Sequence, residues 1–304
     1  MIDSVLAKFA NHDGRFEVQE RLECGHDFKT YALNYYQDEG LHTLEAFAEG
    51  TFTIGNKIQV ERKYINSGST KQDMAKGLGD NFTYYTRVQS MEQSPVCQIG
   101  LVHGFSEESD QWLEVAYQFA LNGILVHIVD NDSFGFSSGM RGPGPTMVKM
   151  HYNLACMLEQ FEENLPSFLY GNSMGCMIIN TFLLRNPDLP IQGVIFGSPF
   201  FEFPKHVHLT PFRKWLAHKA APGLEPFAMQ GTVQLHKVSQ GKSYIRKAST
   251  QRKAVPIISA LAIVSMLDGI DYLQKNARSF NYPFLLMQGQ EDTVVSNEGA
   301  IEWY

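Results

Sequence analysis

With 304 residues, 44% of them hydrophobic and 19% charged, the chain has the composition of an ordinary soluble globular protein, long enough to bury a sizeable core. A formal net charge of −7 argues against a general nucleic-acid binder, and no apolar run is long enough to span a bilayer. The opening Met1-Ile2-Asp3-Ser4-Val5 has neither the basic nor the apolar region of a secretory signal, and the four scattered cysteines, Cys24, Cys97, Cys156 and Cys176, fit free thiols in a cytoplasmic protein.

The first seventy-odd residues give little signal beyond one hairpin, in which Phe52, Ile54, Ile58 and Val60 alternate around Gly55-Asn56. Residues 67–80 are polar and glycine-bearing and read as a linker or long loop. From Val96 the texture changes. The apolar run Gln98-Ile99-Gly100-Leu101-Val102 stops at His103-Gly104 and predicts a buried strand. A helix follows, with Trp112, Leu113, Val115, Ala116 and Phe119 expected on one face and a stop at Asn122-Gly123. Next come a β-branched strand over 124–129, an amphipathic helix over 147–161 and a strand at Phe168-Leu169-Tyr170. A helix from Met174 to just before Pro187, a strand at Val194-Ile195-Phe196 and a last strand over 283–287 complete the pattern. Continuous apolar strands alternating with amphipathic helices imply an α/β fold with a mostly parallel sheet covered on both faces. Ligands bind such sheets beyond the carboxyl ends of the strands.

Gly171-Asn172-Ser173-Met174-Gly175 fits G-x-S-x-G, with a predicted strand before it and a predicted helix after it. The glycines Gly171 and Gly175 let backbone approach a tight turn that presents Ser173 as a nucleophile. The helix N-terminus then offers the Met174 N–H to an oxyanion. The Phe105 N–H, in the loop His103-Gly104-Phe105 after the first parallel strand, is the candidate second donor, while His103 itself is expected to hold the loop. Asp292 follows the last strand and is the favoured acid of a triad, with Glu291 as its competitor. His206 and His208 have an H-x-H spacing, but no acidic or cysteine partner lies near them in sequence, and no metal or cofactor is expected.

These motifs together resemble the monoglyceride lipases, lysophospholipases and related serine aminopeptidases of the α/β-hydrolase superfamily. The loop over 101–109 looks like their oxyanion loop. Asp130, Gly135, Ser137 and Gly139 keep their D-x-x-G-x-G-x-S-x-G stretch, with Ser133 replacing the first glycine. Gly197-Ser198-Pro199 and the run 284–292 resemble the ends of two further strands. Cys176 stands where a third glycine is common, and Asn172 where the family often has histidine.

The resemblance implies a core over 76–199 and 268–304 and a mobile cap over 200–267, and leaves outside it an N-terminal extension over 1–75. Charge counting picks out the same interval. Residues 203–267 carry ten Lys or Arg and one acid, giving +9, which leaves 25 − 10 = 15 basic and 32 − 1 = 31 acidic residues elsewhere, giving −16. Phe212, Trp215 and Leu216 lie among Arg213, Lys214 and Lys219, a mixture suited either to a membrane surface or to a simple lid.

The triad order Ser, acid, His requires a histidine after Asp292, yet only 304 − 292 = 12 residues follow it and none is histidine. The chain therefore reads as C-terminally incomplete, lacking a last strand and helix and having little activity as given; the alternative is a non-catalytic binding protein. The expected substrate is a small acyl ester, monoacylglycerol or lysophospholipid, with peptide hydrolysis of the aminopeptidase type as the rival chemistry.

Overall fold

A computed structural model describes residues 50–54, 57–65, 82–138, 146–203 and 257–304, together with 215, 219, 228–230 and 238. Eight strands form one sheet in the order β1-β2-β3-β5-β4-β6-β7-β10. Strands β1 (Gly50–Ile54), β2 (Ile58–Ile65) and β3 (Thr83–Ser90) are antiparallel to their neighbours. Strands β4 (Cys97–Val102), β5 (Ile124–Val129), β6 (Ser167–Asn172), β7 (Gly193–Gly197) and β10 (Phe284–Met287) run parallel. A separate two-stranded sheet pairs β8 (Ala228–Gln230) with β9 (Ile257–Ser259).

The alternation that predicts the hairpin has a physical outcome: Phe52, Ile54, Ile58 and Val60 are all buried. They share one core with helix α1 (Ser109–Leu121), through Leu113, Ala116, Tyr117 and Ala120, and with Ile99, Leu101, Val126 and Ile128 of the parallel strands. The expected face of α1 needs one correction. Val115 is exposed, because it lies about 200° around the helix from Leu113, whereas 113, 116, 117 and 120 follow the i, i+3, i+4, i+7 stripe.

The other face of the sheet carries α2 (Met147–Leu158), α3 (Met174–Arg185) and α4 (Ala260–Lys275), with the short C-terminal α5 (Asn297–Trp303). Helix α2 ends at Leu158, short of the expected Phe161, and turns follow. It packs so closely that a methyl group added at Gly100 would lie 2.4 Å from Met157 Cε. Helix α5 has no counterpart among the sequence expectations; Trp303 anchors it against Phe196, Phe201, Phe280 and Phe284.

Residues 50–65, inside the expected N-terminal extension, supply two strands of the main sheet. Leu267, the expected end of the cap, lies within α4. Most of the interval 200–267, with His206, His208, Phe212, Arg213, Lys214 and Leu216, lies outside the described residues, as do Cys24, Gly139 and the loop over 67–80. Trp215 and Lys219 are described and exposed. Cys97, Cys156 and Cys176 are free thiols, the last two buried. Among the described residues, no helix is long and apolar enough to cross a membrane.

Candidate active site

All five parallel strands deliver their carboxyl ends to one edge of the sheet. His103, Asp130, Ser173, Ser198 and Asp292 each follow such an end. Strand β6 is interior, flanked by β4 and β7, so Ser173 emerges with the His103 loop on one side and Ser198 on the other.

Ser173 caps α3 with φ 50° and ψ −113°, a backbone conformation that a residue with a Cβ adopts only under constraint. The constraint is visible on both sides. Its N–H donates to Gly197 O at 2.9 Å, and its carbonyl accepts from the N–H groups of Cys176 at 3.0 Å and Phe200 at 3.2 Å. A methyl group at Gly171 would lie 2.6 Å from the Cys176 nitrogen, and one at Gly175 would lie 2.0 Å from Val102 O. Both glycines are therefore required by packing. The Ser173 side chain is half-buried, and its hydroxyl makes no hydrogen bond among the described residues. Met174 is the first residue of α3, where backbone N–H groups have no intrahelical acceptor.

The loop after β4 lies against this turn: a methyl group at Gly104 would sit 3.2 Å from Ser173 Cβ. His103 is fully buried and works as a loop fastener. Its Nε2 accepts from the Asn131 N–H at 2.9 Å, which fixes the proton on Nδ1, and Nδ1–H donates to Gly104 O at 2.7 Å. Burial holds its pKa below the usual imidazole range. The Phe105 N–H has no acceptor among the described residues, and the Phe105 ring meets Phe134 edge to face at 5.4 Å.

The stretch from Asp130 is scaffold. Asp130 accepts from the Ser109 N–H at 2.6 Å and the Phe136 N–H at 2.8 Å, and a methyl group at Gly135 (φ 51°) would lie 1.9 Å from its carboxylate. Ser137 Oγ donates to Asp130 O at 2.6 Å and accepts from the Tyr84 N–H at 2.8 Å. Ser133 has φ 72°, which accounts for the glycine expected there by resemblance; serine tolerates the position with its hydroxyl donating to Asp132 at 2.9 Å.

Cys176, in place of a third glycine, donates its thiol to Gly171 O at 3.0 Å, and burial pushes its pKa well up, so it is an inert packing residue.

At the acid position, Asp292 Oδ1 accepts from the N–H groups of Val294 at 2.8 Å and Val295 at 3.1 Å, and Oδ2 accepts from Gln288 Nε2 at 3.3 Å. Glu291 is exposed and has no hydrogen-bond partner among the described residues. Three histidines are described, and each has other partners: His103 as above, His127 with Tyr85 and Gln98, His151 with Thr181.

Sequence reasoning missed Glu107. It is buried, and its carboxylate accepts from the Gly104 N–H at 2.7 Å, Trp112 Nε1 at 3.2 Å and Asn172 Nδ2 at 3.1 Å. An acid three residues after a loop glycine and four after a histidine was the available signal.

An uncharacterized abhydrolase domain-containing protein of Dictyostelium discoideum is 21% identical over 74% of this chain, which spans 24% of that protein's length. The Saccharomyces cerevisiae monoglyceride lipase is 24% identical, with 66% of this chain and 69% of that protein covered. Among solved structures, the Paleococcus ferrophilus monoacylglycerol lipase superposes with a TM-score of 0.64 at 21% identity, covering 73% of this chain and 83% of that one, so the fold is shared. The sequence model of the family described as "Serine aminopeptidase, S33" matches residues 93–304, and the chain belongs to this family of α/β-fold hydrolases.

Proposed function

We propose that the chain is a serine hydrolase of carboxylic esters whose substrate is a monoacylglycerol or a lysophospholipid. Ser173 attacks the acyl carbonyl, and the N–H groups of Phe105 and Met174 receive the oxyanion. Asp292 orients an imidazole that takes the serine proton and returns it to the departing alcohol. The observation that carries the reading is Ser173 itself, held at φ 50° at the head of α3 with Gly104 packed against it. The substrate class rests on the monoglyceride and monoacylglycerol lipases to which the chain is similar.

None of the described histidines is placed to be that base, since each is engaged elsewhere: His103 and His127 are buried, and His151 is half-buried against Thr181. Among the described residues, then, no imidazole serves Ser173. A fluorophosphonate probe should label Ser173, faster with added imidazole as a soluble substitute for the base, with the adduct mapped by mass spectrometry. Labelling of Ser173→Ala at the wild-type rate would exclude Ser173 as the nucleophile.

A further inference from the structure

The Glu107 carboxylate receives hydrogen bonds from three separate elements. Gly104 belongs to the loop after β4, Trp112 to α1, and Asn172 is the last residue of β6, immediately before Ser173. Two of these donors sit in the two halves of the candidate oxyanion site. Gly104 is held at both polar ends: its N–H by Glu107 at 2.7 Å and its carbonyl by His103 Nδ1–H at 2.7 Å. In a trans peptide the carbonyl and the following N–H point in opposite directions. Fixing the Gly104 carbonyl toward His103 therefore turns the Phe105 N–H to the other side, and Glu107 holds the preceding peptide through the Gly104 N–H, so both planes that meet at Gly104 are fixed. The link from Glu107 to Asn172, at 3.1 and 3.2 Å to its two oxygens, sets the spacing between that peptide and the Ser173 turn.

We propose that Glu107 and Asn172 form a positioning pair, which locks the loop carrying the Phe105 N–H to the strand end carrying Ser173 so that both oxyanion donors converge. The proposal rests on the reading of Ser173 as nucleophile. The pair touches no substrate; it acts through Gly104 and the Ser173 turn. Asn172 matters here as an N–H donor, a property that histidine at this position also has.

The test uses the full chain with imidazole present and follows fluorophosphonate labelling of Ser173 as kinact and KI. Asn172→Ala should lower kinact roughly 10- to 100-fold, less than outright loss of an oxyanion donor, while KI and Tm change little. Glu107→Gln should behave likewise, because an amide oxygen kept at the Oε2 position for Gly104 and Trp112 leaves the NH2 at the Oε1 position, facing the Asn172 donor. Asn172→His restores a donor and should recover most of the loss. Unchanged kinact in Asn172→Ala, or a fall matched by equal changes in KI and Tm, would overturn the proposal. Hydrogen–deuterium exchange gives a readout independent of labelling: peptides covering 102–107 should exchange faster in Asn172→Ala while β3 stays protected. Unchanged exchange there also overturns the pair. A wild-type chain that labels elsewhere than Ser173 counts against the proposed function, and the exchange result still decides the coupling.

Discussion

The two ends of the candidate site are built to different standards. The Ser173 turn leaves an interior strand, and every neighbour constrains it: Gly171 and Gly175 leave no room for a methyl group, Gly197 holds its N–H, and Glu107 ties Asn172 to the facing loop. The Asp292 loop leaves β10, a four-residue strand paired only with β7 among the described residues. On β10 Leu285 and Met287 are exposed, and the loop's own hydrogen bonds are local, Asp292 reaching Val294, Val295 and Gln288. A strained turn needs support from all sides, because its conformation is not one the chain adopts alone. An acid loop of ordinary backbone geometry holds itself by short-range bonds and can sit at an edge.

Exchanging one hydrogen for a methyl group at equivalent glycines tests this contrast most severely. Gly175→Ala places a carbon 2.0 Å from Val102 O and 2.8 Å from its carbonyl carbon, both backbone atoms that cannot swing away. We expect a loss of roughly 3 kcal/mol or more, read as a collapse of Tm or as failure to fold. At Gly289 the nearest atom to an added methyl is Asp292 Cβ at 3.9 Å, ordinary contact, and its backbone is not left-handed. Gly289→Ala should be neutral or stabilising by up to about 1 kcal/mol, since alanine reduces the freedom of the unfolded chain. Similar costs at both positions would erase the distinction.

Acid is a gentler probe of the buried side. His103 and His127 are buried and His151 is half-buried, and loss of solvent lowers their pKa values, to about 3 for His127 and about 4 for His151. All three are neutral in the folded chain near pH 6, whereas in the unfolded chain they take up protons as pH falls through about 6.5. The unfolded state then binds more protons, so stability falls on acidification, by about 1 kcal/mol per pH unit for each group. The loss continues down to about pH 4 for His151 and about pH 3 for His127. Denaturant midpoints measured from pH 7 to pH 4 should show this slope, and His127→Gln should flatten it. A flat profile would mean that these rings are solvated.

What could be read from the sequence follows the same division. The interior parallel strands are legible because burial on both faces makes them continuous apolar runs, and the turns after them are legible because sterics demand glycine at Gly171, Gly175 and Gly135. Strand β3 was not legible: its sequence TYYTRVQS is polar at five of its eight positions, and Thr83 and Thr86 are buried while Arg87 pairs with Glu162 in space. Glu107 and Asn172 are 65 residues apart, and no local pattern announces that they meet. Val115 went astray because β-branched apolar residues also occur on exposed helix faces, and composition does not carry phase.

The smallest expected effect separates the two adjacent acids of the edge loop. Asp292 accepts two backbone N–H groups and one side-chain amide and is half-buried, whereas Glu291 is exposed and has no hydrogen-bond partner among the described residues. Removing the acceptor in Asp292→Ala leaves the Val294 and Val295 N–H groups without their partner, but water reaches a half-buried loop and replaces part of it. A cost of about 1 kcal/mol follows, that of an ordinary hydrogen bond partly replaced by water. Asp292→Asn keeps an acceptor oxygen for those N–H groups and should cost less than Asp292→Ala, and Glu291→Gln should not move the denaturant midpoint measurably. If stability ranks as Asp292→Ala, then Asp292→Asn, then Glu291→Gln, the loop is organised around Asp292. If Glu291→Gln proves the costlier change, the acid that orders this loop is Glu291, and the role proposed for Asp292 passes to its neighbour.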